Sequence, residues 1–183
     1  MRLTIALSLV PLLLGACAST SHLPALPAEA DTEYRLGAGD TLQITVFGEA
    51  DLTGSYPVSA SGAVDMPLIG AVPADGRTIS QLQQALVHAL DAKAVRSPNV
   101  TVSITTYRPF FILGEVKNPG SYPYVPNMTV LTAVAIAGGF TYRAAQGEIS
   151  VVRRHDGKPL EARASRDAQV LPGDVVNIFE RHL

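Results

Sequence analysis

This chain of 183 residues has one cysteine, Cys17. No intrachain disulfide can hold its fold, and no thiolate cluster can hold a metal. Whatever follows Cys17 must therefore be stabilised by an apolar core, and 47% of the residues are hydrophobic. The 13 prolines and 15 glycines interrupt the chain too often for long helices. They point to short strands joined by turns. The formal net charge is −2, from 16 acidic and 14 basic residues. That balance excludes nucleic acid as the expected partner, since such binding needs clustered Lys and Arg.

The position of Cys17 carries a second message. Met1-Arg2 is positively charged, residues 3–14 are apolar apart from Thr4, Ser8 and Pro11, and Leu14-Gly15-Ala16 places small residues before the cysteine. These are the parts of an export signal. The apolar run is shorter than the roughly 20 residues that span a bilayer. The stretch resembles a bacterial lipoprotein signal, with residues 1–16 removed and Cys17 as the lipidation site. An ordinary secretory signal with a chance cysteine is the alternative. Several acyl chains anchor stably because each buried CH₂ contributes about 0.8 kcal/mol. Ala18, where an aspartate would favour inner-membrane retention, resembles the outer-membrane default. Residues 17–33, rich in Ala, Ser, Pro and Thr, read as a flexible tether.

Beyond the tether the hydrophobic period alternates between two and 3.6. Residues 41–47 alternate apolar and polar side chains, as a half-buried strand does. Residues 56–60 and 63–67 are short strands about a Ser61-Gly62 turn, and residues 68–72 are expected to continue the same sheet. Thr78-Ile79-Ser80-Gln81 fits a capping box, followed by Ile79, Leu82, Leu86, Ala89 and Leu90 on one helical face. Residues 99–107 alternate strictly and predict a long strand with one wet face. Arg108-Pro109 reads as a boundary, because proline disfavours continuing a central strand. Beyond it, residues 110–116 and 121–125 read as strands flanking an Asn118-Pro119-Gly120 turn, with Gly120 suited to a type II position. Thr129 caps a helix that Gly138-Gly139 ends. Residues 148–154 and 160–163 flank a His155-Asp156-Gly157 hairpin turn, and residues 175–179 form the last strand. The segments Gly39-Asp40 and Gly173-Asp174 echo one another, each just ahead of an alternating strand. A common turn and an internal duplication both account for the echo.

The ordered series resembles a known family. Tyr34-Arg35-Leu36-Gly37-Ala38-Gly39-Asp40, then Gly62, Pro67, Ile69-Gly70, the helix and the Val-Thr-Val strand, resemble a polysaccharide export domain. Leu113-Gly114-Glu115-Val116, Asn118-Pro119-Gly120, residues 131–139 and Leu171-Pro172-Gly173-Asp174 resemble the soluble-ligand-binding β-grasp module. With the lipoprotein signal, this is the layout of the Wza-like outer-membrane polysaccharide export lipoproteins. The resemblance implies an α+β chain. A small sheet-plus-helix export domain would span residues 34–107 and a β-grasp-like domain residues 108–183. It further implies a homo-oligomeric ring through which capsular or extracellular polysaccharide passes. The folded part would lie in the periplasm, the lipid in the outer membrane, and the inner partner would be a polysaccharide co-polymerase in the inner membrane. Long members end in an amphipathic helix that helps form an outer-membrane pore. Only Glu180-Arg181-His182-Leu183 follows Phe179 here, so a separate outer-membrane β-barrel is an expected further partner. A monomeric glycan-binding accessory lipoprotein is the rival reading.

Gly39, Asp40, Gly114, Pro119, Gly120, Gly138, Gly139, Gly173 and Asp174 are expected to act structurally. No residue set points to catalysis, a metal or a cofactor. His22, His88, His155 and His182 lack the i, i+4 spacing of a helical zinc site. Asp40, Glu49, Asp51 and Asp65 offer no selected glycosidase pair, Ser61-Gly62 is not a nucleophile elbow, and Gly37-x-Gly39 precedes a strand rather than a helix. The Thr-rich face of residues 99–106, with Tyr56, Tyr122 and Tyr124, supplies candidate lining for a hydrated polymer.

Overall fold

The alternation that begins at residue 41 forms β1 (Thr41–Val46), with Leu42, Ile44 and Val46 buried. The computed structural model to which it belongs describes residues 20–27, 33–93, 95–155 and 157–181. Cys17 and the export signal fall outside them. The first half continues through β2 (Gly54–Pro57), β3 (Ala63–Met66), β4 (Gly70–Pro73), α1 (Ile79–Lys93) and β5 (Val100–Thr106). β1 is the centre of an antiparallel sheet ordered β2-β1-β5. The expectation of one continuous sheet through residue 72 is corrected. β3 and β4 pair only with each other as a separate hairpin, and a single bridge, Val58 to Val64, ties β3 to the chain leaving β2. The tight turn at residues 59–62, closed by the Gly62 N–H on the Ser59 carbonyl at 2.9 Å, ends the pairing after one bridge.

α1 covers this unit because its capping box and its apolar stripe agree. The Gln81 N–H donates to Thr78 Oγ1 at 3.2 Å and the Thr78 N–H donates to Gln81 Oε1 at 3.0 Å. Leu82, Leu86 and Leu90 are fully buried with Leu42, Ile44, Val64 and Val102. Thr78→Ala removes one half of the box. It is expected to lower stability by about 1 kcal/mol, read as a lower urea midpoint at unchanged slope, with Thr78→Ser near wild type.

The second half runs β6 (Phe110–Gly114), β7 (Gly120–Tyr122), α2 (Val130–Ile136), β8 (Ala144–His155), β9 (Lys158–Arg163) and β10 (Val175–Glu180). Its sheet is ordered β7-β6-β10-β8-β9, with β6 and β10 parallel and the other pairs antiparallel. α2 buries Val130, Ala133 and Val134 in the same cluster as Phe110, Ile112, Ile149, Val151, Val176 and Ile178, a β-grasp-like arrangement. Thr129 caps α2 by accepting from the Thr132 N–H at 3.3 Å. The architecture is thus α+β, with one apolar cluster in each half.

Three local expectations are revised. β8 starts at Ala144, four residues early, because Ala144 pairs with Glu180 of β10. β6 stops at Gly114, whose φ is +81°, rather than at residue 116. Gly120 does not take the positive φ of a type II turn. It opens β7 opposite Ile112, and the Asn118 N–H ahead of it bonds the Ala137 carbonyl at 2.9 Å.

The stretch expected to be a tether also contributes to the fold. Thr20–His22 forms a single 3-10 turn, and Ala25 bridges Arg163 in parallel. The Leu26 N–H donates to the Arg163 carbonyl and the Arg163 N–H to the Pro24 carbonyl, both at 2.8 Å. Residues 24–26 therefore cover the β9 edge, which would otherwise offer unpaired main-chain groups. Thr20, buried, donates both its N–H and its hydroxyl to Glu148 Oε2, and the hydroxyl bond first and the N–H bond second hold that carboxyl below its usual range. Among the described residues no helix is long and apolar enough to cross a membrane.

Candidate functional site

The echoed Gly-Asp segments are two copies of one turn. The Asp40 N–H donates to the Gly37 carbonyl at 3.1 Å, and the Asp40 carboxylate accepts from the Gly37 N–H at 2.8 Å. The Asp174 N–H donates to the Leu171 carbonyl at 3.1 Å, and its carboxylate accepts from the Leu171 N–H at 2.8 Å. Each turn needs a left-handed residue before the aspartate, and glycine supplies it, with φ +96° at Gly39 and +87° at Gly173. The strands they feed differ. β1 is antiparallel to both neighbours, whereas β10 is parallel to β6.

Each buried carboxylate is met by an arginine. Arg153 donates through Nη2 to Asp174 at 2.7 Å and through Nε at 3.1 Å, with both side chains nearly inaccessible. Arg108 donates its main-chain N–H to Asp40 at 2.8 Å and its Nη1 at 3.1 Å. Arg108 then reaches across to the other turn, with Nε donating to the Pro172 carbonyl at 3.1 Å, while the Gly173 N–H donates to the Pro109 carbonyl at 3.0 Å. The guanidinium passes so close that a Cβ on Gly37 would lie 2.1 Å from Nη1, and one on Gly173 2.8 Å from Nε. Arg108 is thus the pin between the two units.

Aromatic rings seal the same junction. Tyr34 meets Tyr107 edge-on at 5.2 Å, and Tyr107 meets Tyr124 at 5.3 Å. The Arg108 guanidinium sits 5.6 Å from the Tyr34 ring centre. The Tyr34 hydroxyl donates to both Asp40 oxygens, at 2.8 and 3.0 Å. Burial, and then the Asp40 charge, push its pKa up, so the hydroxyl stays a donor. Asp40 and Asp174 each accept several hydrogen bonds and an ion pair, so these carboxylates fix geometry.

The remaining motif residues gather at the end of α2. Gly138 and Gly139 have φ of +86° and +93°. The Lys117 N–H donates to the Gly139 carbonyl at 3.0 Å, and Asn118, just before Pro119, is held on Ala137. Gly114 lies against β10, where a Cβ would fall 2.0 Å from the Ile178 carbonyl oxygen. Of the candidate lining tyrosines, Tyr56 donates to the Leu52 carbonyl at 2.9 Å and Tyr122 to the Asn118 carbonyl at 2.6 Å. Tyr124 packs on Tyr107. His22 and His88 are exposed, His155 has no described side chain, and His182 lies outside the described residues. Among the described residues no three His, Cys, Asp or Glu side chains could together hold a metal ion.

Sequence reasoning missed Arg108 and Arg153 as the cations of the two turns. Arg108 was visible only as a boundary residue, and its partner Asp40 is 68 positions away. The available signal was the echo itself, which marks two aspartates in like turns but names neither partner.

Comparison with known proteins agrees with this two-unit geometry. Residues 28–105 match the family described as polysaccharide biosynthesis/export protein, and residues 109–162 match the SLBB domain. The chain therefore carries a polysaccharide-export domain followed by an SLBB domain. It is similar to the exopolysaccharide production protein ExoF of Rhizobium meliloti (strain 1021), 38% identical over 133 residues, 66% of this chain and 31% of that protein. It is also similar to the EPS I polysaccharide export outer membrane protein EpsA of Ralstonia solanacearum, at 33% over 135 residues, 59% of this chain and 35% of that protein. Similarity to the polysialic acid transport protein KpsD of Escherichia coli is 28% over 109 residues, 58% of this chain and 20% of that protein. The chain thus spans about a third or less of the length of these relatives. Their names describe production, export and transport rather than an enzymatic reaction.

Proposed function

We propose that this chain is a lipid-anchored component of polysaccharide export at the outer membrane. Copies of it form a ring-like conduit for a capsular or extracellular polysaccharide. The observation that carries the reading is the ordered match of an export domain and an SLBB domain over residues 28–162, supported by relatives named for export and transport. In this reading the units divide between residues 107 and 108, with the motif glycines and aspartates setting their internal turns. Cys17 carries the lipid, the folded part lies in the periplasm, and an inner-membrane co-polymerase delivers the polymer. An outer-membrane β-barrel is a further candidate partner. The Arg108 pin supports a conduit wall, because subunits that repeat around an axis need one fixed angle between their parts. The docked residues 20–26 support attachment through Cys17, since Thr20 stands three positions beyond it and is bonded to β8 through Glu148.

Native mass spectrometry of the full chain in detergent tests the ring. A single closed multiple of the subunit mass is expected. A monomer that still binds polysaccharide would replace the conduit with the glycan-binding accessory reading.

A further inference from the structure

We propose that Tyr142 is a sugar-contacting platform, stacking on the C–H face of a pyranose unit while the charged groups beside it hydrogen-bond that unit's hydroxyls. The inference rests on the export reading and adds the contact residue that reading lacks. Tyr142 is 82% exposed, the most exposed of the large apolar side chains described. Its loop is nonetheless held almost residue by residue. The Gly139 carbonyl accepts from Lys117 and the Thr141 N–H donates to the Glu115 carbonyl. Phe140 bridges Val116. Arg181 Nη2 donates to the Tyr142 carbonyl, and the Arg181 N–H to the Arg143 carbonyl. The Arg143 N–H returns to Thr141 Oγ1. Ordering a loop this fully costs backbone entropy, yet the ring at its tip buries almost nothing. The result is an aromatic side chain displayed from a fixed backbone, so a ligand meets it without first ordering the loop.

The surroundings suit a hydroxyl-rich ligand. Tyr142 is flanked by the exposed Arg143–Glu180 ion pair, by Arg181 and by the Glu115 carboxylate. Two guanidiniums and two carboxylates cancel in charge but supply donors and acceptors beside the residue. A hydroxyl-rich ring with an apolar C–H face matches that combination.

The test uses the full chain in detergent and short oligosaccharides released by mild acid from the polymer the producing strain secretes, with binding followed by saturation-transfer NMR. Tyr142→Ala should weaken binding by about tenfold, the scale of one lost aromatic stacking contact. Tyr142→Phe should keep it, and Phe47→Ala, which removes a ring that is also 80% exposed, should not alter it. The unfolding midpoint and oligomeric mass of Tyr142→Ala should match wild type. Absence of binding by wild type, or wild-type binding by Tyr142→Ala, overturns the platform. So does a change in oligomeric mass with binding intact, which would make Tyr142 a contact between proteins. The export reading fails separately, if a strain lacking the chain secretes normal polymer.

Discussion

Asp40→Ala is expected to destabilise the protein by about 3–5 kcal/mol, the range for removing one member of a buried charge pair. Asp40 is fully buried and accepts from four groups: the Tyr34 hydroxyl, the Gly37 N–H, the Arg108 N–H and Arg108 Nη1. Alanine leaves these donors facing one another with no acceptor, and an unsatisfied buried donor costs about 1–3 kcal/mol. Arg108→Ala should cost less, because Asp40 would keep three of its four donors, the Tyr34 hydroxyl and two main-chain N–H groups. The two substitutions therefore separate turn stability from coupling of the units. Urea unfolding should rank Asp40→Ala below Arg108→Ala. Small-angle scattering of native Arg108→Ala should show a wider spread of distances between the units. Equal destabilisation by both, with unchanged scattering, would contradict the role of Arg108 as the pin.

Gly114→Ala should be of similar severity for a different reason. Gly114 has φ +81°, which an alanine adopts only with strain. The added Cβ would also meet the Ile178 carbonyl oxygen at 2.0 Å and Asn177 Oδ1 at 3.0 Å. Ile178 is the β10 residue paired with Gly114, so relief requires the last rung of the parallel β6–β10 pairing to open. A loss of about 3–5 kcal/mol is expected, combining left-handed strain with lost pairing. Gly147→Ala is the matched control, since nothing lies within 4 Å of its added Cβ and its φ is not left-handed. It should be neutral or slightly stabilising. Hydrogen exchange should show the Gly114→Ala opening in β6 and β10 before β8 and β9.

What the sequence made legible was local in origin. The strict alternation at residues 99–107 became β5, and the Thr78 and Thr129 caps start α1 and α2 because both capping partners lie within three residues. The Gly-Asp echo was equally visible, but its meaning was not. Each turn closes locally, whereas the cations that complete it come from Arg108, 68 positions from Asp40, and Arg153, 21 positions from Asp174. The β9 cover was hidden for a related reason. Residues 24–26 carry no strand periodicity, and their pairing is written in main-chain groups that every sequence possesses. The β3–β4 hairpin read as a continuation of one sheet because alternation reports a strand and not its neighbour. Tyr142 left no signal, since a lone exposed aromatic is told from a core residue only by burial.

The measurement that bears most directly on the account is polymer distribution in a strain lacking this chain, complemented with wild type or with Cys17→Ser. The account predicts loss of surface and released polysaccharide with material retained in the cell, restoration by wild type, and failure of Cys17→Ser to restore it. Unchanged external polymer in the deletion strain would contradict the export role. Full restoration by Cys17→Ser would contradict the need for the lipid anchor.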